Sequence, residues 1–301
     1  MSTPLTTSTQ LPDFVPMEQG AFARTMRVFR KDRLALVGAI LIILLLLAAA
    51  VGQWIAPYPD QGAGVTDLPN RFVPPGGEHW LGTDQLGRDV LSRILFGARP
   101  AVVVSFGVVL LAALVGIPLG AIAGYRGGWL DNLLMRVTEI FQAFPPLLLA
   151  MVMVALLGPS LTNAGIALAI SWWPWYARLV RAEAVSLRER AYVEAARSTG
   201  VPTWIIIPRH ILRNALTPVL VQATVDIGTV ILAAGSLAFI GLGAQPPAAD
   251  WGLMVSEGRG LIFSYWWIST FPGLAIFIAV LGFNLLGDSI RDLLDPRQVK
   301  R

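Results

Sequence analysis

Cysteine is absent from this chain of 301 residues, so neither a disulfide nor a thiolate metal site can be built. Histidine occurs only at His79 and His210, far apart and expected on opposite sides of a membrane, and no protein-borne metal centre is expected. Lysine is nearly as scarce. Lys31 and Lys300 are its only instances, and neither follows a Gly-rich turn. A P-loop needs Gly-Lys-Ser/Thr after the turn that cradles phosphate, so the chain is not its own ATPase of that type. Charge of any kind is sparse, at 14% of residues against 55% apolar, and the mean hydropathy is +0.63. That composition excludes a soluble core as the main structure. The formal charge of +4 is almost wholly arginine. In so apolar a chain it reflects basic loops at a membrane rather than a nucleic-acid surface.

What is present is a series of long apolar runs. Residues 1–33 read as a cytoplasmic tail, rich in Ser, Thr and Pro at first and ending in Arg24, Arg27, Arg30, Lys31 and Arg33. The apolar run 34–56 is long enough to cross a bilayer, which takes about 20 residues. The cations before it place the N-terminus inside. A cleaved signal peptide with Ala48-Ala49-Ala50 near its cleavage site is the alternative, but its apolar segment is shorter than this one. Residues 57–99 read as an external loop. Within it Leu86, Val90, Leu91, Ile94 and Leu95 share a helical face, which predicts a short amphipathic surface helix capped by Thr83 or Asp84. Asp84, Arg88 and Asp89 read equally as solvated charges or as part of a site.

The second span, 100–125, carries Gly116, Gly120 and Gly124 at a spacing of four, a small-residue stripe suited to close helix packing in lipid. A third span covers 141–158, with Pro145-Pro146 near its inner end. A fourth covers 164–179, where Trp172, Trp173, Trp175 and Tyr176 read as an interfacial belt. Arg178, Arg181, Arg188, Arg190, Arg197, Arg209 and Arg213 make the next loop basic and therefore cytoplasmic. The fifth span, 217–243, holds Asp226, with Gln222 one turn away on the same face. An acid inside the bilayer faces a bundle interior or an aqueous path. The pair either lines a translocation path or bonds to a neighbouring helix, and both readings are open. The sixth span is 271–286, and the basic tail 291–301 returns to the cytoplasm. The reading is an all-α integral membrane protein with six spans and both termini cytoplasmic.

The segment 192–218 is organised differently. Glu194, Ala195, Ala196 and Arg197 favour a helix, Gly200 suits the left-handed residue that ends one, and Pro202 suits the first turn of a second helix. Such a tip either docks in another protein's groove or rests as a basic loop on anionic lipid.

This segment resembles the EAA loop of the permease subunits of bacterial ABC importers, with Glu194-Ala195-Ala196, three residues and Gly200. His210 stands where the general pattern has Ile, in the Arg209-His210-Ile211-Leu212 form of peptide permeases. Arg213 replaces the motif's Pro, so the second helix is expected to run on further. The wording His79-Trp80-Leu81-Gly82-Thr83-Asp84 through Gly87-Arg88-Asp89 to Arg93 resembles the second, C-type permease of the dipeptide and oligopeptide branch. So do 241–254, Phe271-Pro272-Gly273 and Phe283-Asn284-Leu285-Leu286-Gly287-Asp288 through to Arg297. The resemblance implies the type I importer fold in the bacterial cytoplasmic (inner) membrane, with a permease core over 100–290 and a coupling loop over 180–214. It further implies that Glu194, Ala195, Ala196, Arg197, Ser198, Thr199 and Gly200 couple to an ATPase. Gln222 and Asp226 are candidates for the path. The implied partners are a second homologous permease, two ABC ATPase subunits that bind ATP and Mg, and an extracytoplasmic peptide-binding protein. The chain itself is then non-catalytic. Glutathione and nickel-chelate importers share these motifs, and a secondary transporter or channel is the more remote alternative, although no internal repeat of the kind common there is visible.

Overall fold

The computed structural model describes residues 33–294, with side chains described to residue 292. The expected N-terminal tail and most of the basic tail after residue 294 lie outside the described residues. Within them the chain is helical, and its only strand-like pairing is an isolated bridge between Thr83 and Asp89. Long apolar segments have no water to satisfy their backbone groups in a bilayer, and a helix satisfies them internally.

Helix α1 covers Arg33–Ile55 and the short α2 covers Pro59–Gly62. α3 is Val90–Arg126, α4 is Gly128–Gln142 and α5 is Pro146–Leu157. α6 is Leu161–Arg188, α7 is Ala191–Ser198 and α8 is Thr203–Ile206. α9 is Arg213–Phe239, α10 is Trp251–Gly258 and α11 is Trp267–Leu294. Among the described residues four stretches are long and apolar enough to cross a membrane: Arg33–Ile55, Val90–Arg126, Thr203–Phe239 and Trp267–Asp292. The pair α4 and α5, bent by 80°, makes a fifth if it is counted as one span. The bend falls at Pro145-Pro146, where two missing backbone donors interrupt the helix.

Two local expectations are corrected. The amphipathic helix expected at Val90 begins there but does not stop. It continues through Pro100 and Pro118 as the single 37-residue α3. Its cap is Asp89, whose carboxylate accepts the Ser92 N–H, and not Thr83 or Asp84. Thr83 instead donates to the Asn70 carbonyl and accepts from Val73 N–H, while Asp84 turns back onto the N–H groups of Leu86 and Arg88.

The glycine stripe of α3 faces α6 and sets the centre of the bundle. A Cβ on Gly116 would meet the Trp173 carbonyl at 2.5 Å, one on Gly120 would overlap the Ala177 carbonyl, and one on Gly124 would meet the Arg181 carbonyl at 2.5 Å. Both sets of numbers rise together, so the two helices run parallel in close backbone contact. The expected aromatic belt is corrected by the same packing. Trp172, Trp173 and Tyr176 are core residues, and only Trp175, 53% exposed, points away. The buried residues 172, 173, 176, 177, 180 and 184 follow one face of α6, as i, i+4 and i+8 spacing requires. α11 packs on α9, where Gly228 lies against Phe283, and on α1, where Gly38 lies against Leu285 and Leu286.

Candidate functional site

α6 and α9 are joined at one end of the bundle by the segment that holds the EAA-like residues. α7 opens after extended Arg190 with Glu194 in its first turn and Arg197 in its last, the charge order its dipole favours. Gly200, at φ 82°, reverses the chain, and its N–H bonds the Arg197 carbonyl while Val201 N–H bonds that of Ala196. Pro202 stands just before α8 rather than in its first turn. Glu194, Ala195, Arg197, Ser198, Thr199 and Gly200 are exposed and Ala196 half-buried, whereas Val193 is fully buried beneath them. One apolar anchor thus holds a polar tip outward. Trp204, 74% exposed, stands beyond it.

The second helix does run on. α8 passes through a wider, π-helical stretch at Ile207–Leu212 into α9, and Thr203–Phe239 forms 37 continuous residues. Pro208 lies in this stretch, where its missing N–H leaves an α-helical bond unmade. With an N–H at Arg213 in place of proline, nothing interrupts the passage. Asn214 ties the stretch to α7, donating to the His210 carbonyl at 2.6 Å and to the Tyr192 hydroxyl at 3.4 Å. The rings of Tyr192 and His210 lie 6.0 Å apart, tilted by 45°. α6 is held nearby through Arg181, which grips Asp131 of α4 in a two-pronged pair at 2.6 and 2.7 Å, and Arg188, which donates to the Gly124 carbonyl.

Gln222 and Asp226 lie together on α9, with the amide donating to Asp226 Oδ1 at 3.0 Å. Gln222 is half-buried and Asp226 only 6% exposed. The carboxyl faces Tyr176 and Trp172 of α6, yet neither Asp226 Oδ2 nor the Tyr176 hydroxyl completes a hydrogen bond of good geometry.

At the far end of the bundle the structure decides between the two readings of Asp84, Arg88 and Asp89: all three are buried, together with His79 and Arg93. His79 Nδ1 meets Asp89 Oδ2 at 2.9 Å, and Arg88 joins Asp84 to Glu257 of α10. Arg93 enters the sequence reading only as the last residue of the motif, and Glu257 does not enter it. The usable signal was a repeat of acids and arginines at helical spacing immediately before an apolar run.

Comparison with known proteins accords with this architecture. Residues 116–300 match the family described as binding-protein-dependent transport system inner membrane component. Residues 20–75 match the N-terminal TM domain of oligopeptide transport permease C. The dipeptide transport system permease protein of Alkalihalophilus pseudofirmus is 46% identical over 89% of this chain and 87% of its own length. The probable D,D-dipeptide transport system permease protein of Escherichia coli K12 is 43% identical over 94% of both chains. A glutathione transport system permease protein of Escherichia coli O157:H7 is 43% identical over 90% of this chain and 89% of its own. In fold, the chain is similar to the MetNI methionine ABC transporter in inward facing conformations, with a TM-score of 0.55, 19% identity and coverage of 67% of this chain and 97% of the other. The chain therefore belongs to the binding-protein-dependent transport system inner membrane components, the permease family of ABC importers.

Proposed function

We propose that this chain is the second of two homologous permease subunits in an ATP-driven importer of dipeptides and oligopeptides. It forms half of the translocation path. Counting α4 with α5 as one broken pass and α6 as another, the chain crosses six times, with both termini cytoplasmic. The arginines gathered around α7 and α8 favour that orientation. Two ABC ATPases dock beneath the loop and carry the ATP and Mg, a peptide-binding protein delivers substrate at the opposite end, and this subunit does no bond chemistry. An apolar groove of about 420 Å³ between α5, α9, α10 and α11, lined by Met151, Ser236, Val255 and Ile276 among others, is the half-path.

The observation that carries the reading is the exposed tip from Glu194 to Gly200, set on buried Val193 between two long helices. ATP-driven closure of the ATPases pushes on that tip, and the continuous helix from Thr203 to Phe239 transmits the push to the groove. Relatives named for D,D-dipeptide, dipeptide and glutathione transport support short peptides as the substrate class.

Purification from native membrane under mild detergent tests the assembly. Recovery with a second permease and P-loop ATPases is expected; recovery alone or as a homo-oligomer would return the chain to the channels and secondary transporters. Uptake by the reconstituted complex then tests the substrate. Dipeptides should be taken up in the presence of the cognate binding protein, and uptake confined to glutathione or a nickel chelate would reassign it.

A further inference from the structure

The transport cycle proposed above leaves unused the most deeply buried charges among the described residues. Arg88 is 1% exposed; its Nε donates to Asp84 Oδ2 at 2.6 Å and its Nη2 to Glu257 Oε2 at 2.9 Å. Arg93 is 0% exposed, donates to the carbonyls of Pro247 and Ala248 at 3.4 and 3.1 Å, and lies 3.9 Å from both carboxylates. The Trp251 indole donates to the Ile94 carbonyl at 2.9 Å. Apart from the pair between Arg88 and Asp84, these bonds join the stretch 84–94 to the stretch 247–257. The first stretch is itself fixed: Asp89 binds His79 and caps α3, and the Asp67 backbone fills the space beside Gly87, at φ 77°.

Burying two guanidinium groups and the Asp84 carboxylate, with Glu257 half-buried beside them, is not the economical way to hold a turn, since apolar residues of similar volume commonly do as well or better. What a planar guanidinium supplies is direction, because its donors leave in a fixed fork. The element so directed is α10. It contributes Gly252 and Val255 to the groove, and Gly252 presses on the backbone of Gly235 in α9 so closely that a Cβ would overlap it. A small rotation of α10 therefore changes the groove wall and its contact with α9.

We propose that Arg88, backed by Asp84 and Arg93, is a positioning residue of the transport reaction. Acting through Glu257, it sets the orientation of α10 at the mouth of the path, and that orientation governs how strongly the peptide-loaded binding protein stimulates ATP hydrolysis. The proposal rests on reading the groove as the half-path.

The test is ATP hydrolysis by the assembled importer in lipid nanodiscs, titrated with peptide-loaded binding protein. Glu257→Gln keeps the volume and removes the charge. Expected is an unchanged basal rate and a stimulated maximal rate lower by about tenfold, the scale of one charged hydrogen bond, with Glu257→Asp restoring much of it. Arg88→Lys, which loses the fork, should behave as Glu257→Gln does. Wild-type stimulation in both variants would overturn the proposal. So would a parallel fall in assembly and basal rate, which would make the network a plain structural support. A wild-type complex that no peptide-loaded binding protein stimulates would instead sink the importer reading itself, and is told apart because it shows in the unmutated protein.

Discussion

The carbonyl of Ala177 occupies the space that any side chain on Gly120 would need. The obstacle is backbone, on a helix that also carries the buried Tyr176 and the loop-bearing Arg188, so it cannot move aside as a side chain would. Gly120→Ala is expected to destabilise the detergent-solubilised complex by roughly the 1–3 kcal/mol typical of overpacking, seen as a lower thermal midpoint. Gly107→Ala, where a Cβ meets nothing within 4 Å, is the matched control and should leave the midpoint unchanged or raised. Equal midpoints for the two variants would show that α3 and α6 do not pack in this way.

The tip from Glu194 to Gly200 is exposed while its anchor is buried, so changes at the tip should spare folding and strike coupling. Glu194→Lys reverses a charge at an exposed position, and Gly200→Trp adds bulk where nothing lies within 4 Å but at a backbone angle that costs an L-residue about 1–2 kcal/mol. Both variants should insert and assemble, yet lose most peptide-stimulated uptake. Unchanged uptake and peptide-stimulated hydrolysis in both would remove the coupling role.

Asp250 gives a pH-dependent expectation. It caps α10 by accepting the Leu253 N–H, and burial pushes its carboxyl above the usual range, against the opposing pull of the N–H groups of Leu253 and Gly252. The folded protein therefore holds this proton more tightly than the unfolded chain does. The resulting stability is present below the unfolded carboxyl pKa and is lost as pH rises through the folded value. Asp250→Asn retains an oxygen for the cap and has no proton to lose. Its thermal midpoint should exceed that of the wild type near neutral pH and converge with it on acidification; a constant offset at all pH values would show that the carboxyl does not titrate differently in the fold.

The residues that were legible in advance share one property: their partners lie close in sequence or their pattern repeats. Gly116, Gly120 and Gly124 announce a packing face by spacing alone, and Glu194 to Gly200 announce a helix and its stop. The short helix expected from Val90 and the span expected from residue 100 are one helix, because the proline between them, Pro100, is tolerated where neighbouring helices pack around it. Trp172, Trp173 and Tyr176 misled because aromatic residues near a basic loop look the same whether they face lipid or protein. Arg88 was undecided for a plainer reason. Its decisive partner, Glu257, is 169 residues away, and no local period encodes a contact of that kind.

Asp226 is the case where residue type alone says least. Its carboxyl is enclosed between α9 and α6, bonded to Gln222 and facing the Tyr176 hydroxyl and the Trp172 indole, which favours a tie between helices over a surface that greets substrate. These two helices carry the segment from Glu189 to Leu212 between them, so a tie here would keep the two supports of the proposed coupling loop moving together. Asp226→Asn preserves shape and the Gln222 contact, and should assemble normally with a peptide KM close to that of the wild type. Tyr176→Phe combined with Asp226→Leu should destabilise by less than the sum of the single changes, with a coupling of about 0.5–3 kcal/mol as expected for residues in contact. Thermal unfolding of the four proteins measures it. Strict additivity, together with a large change in peptide KM for Asp226→Asn, would detach the carboxyl from α6 and place it on the path.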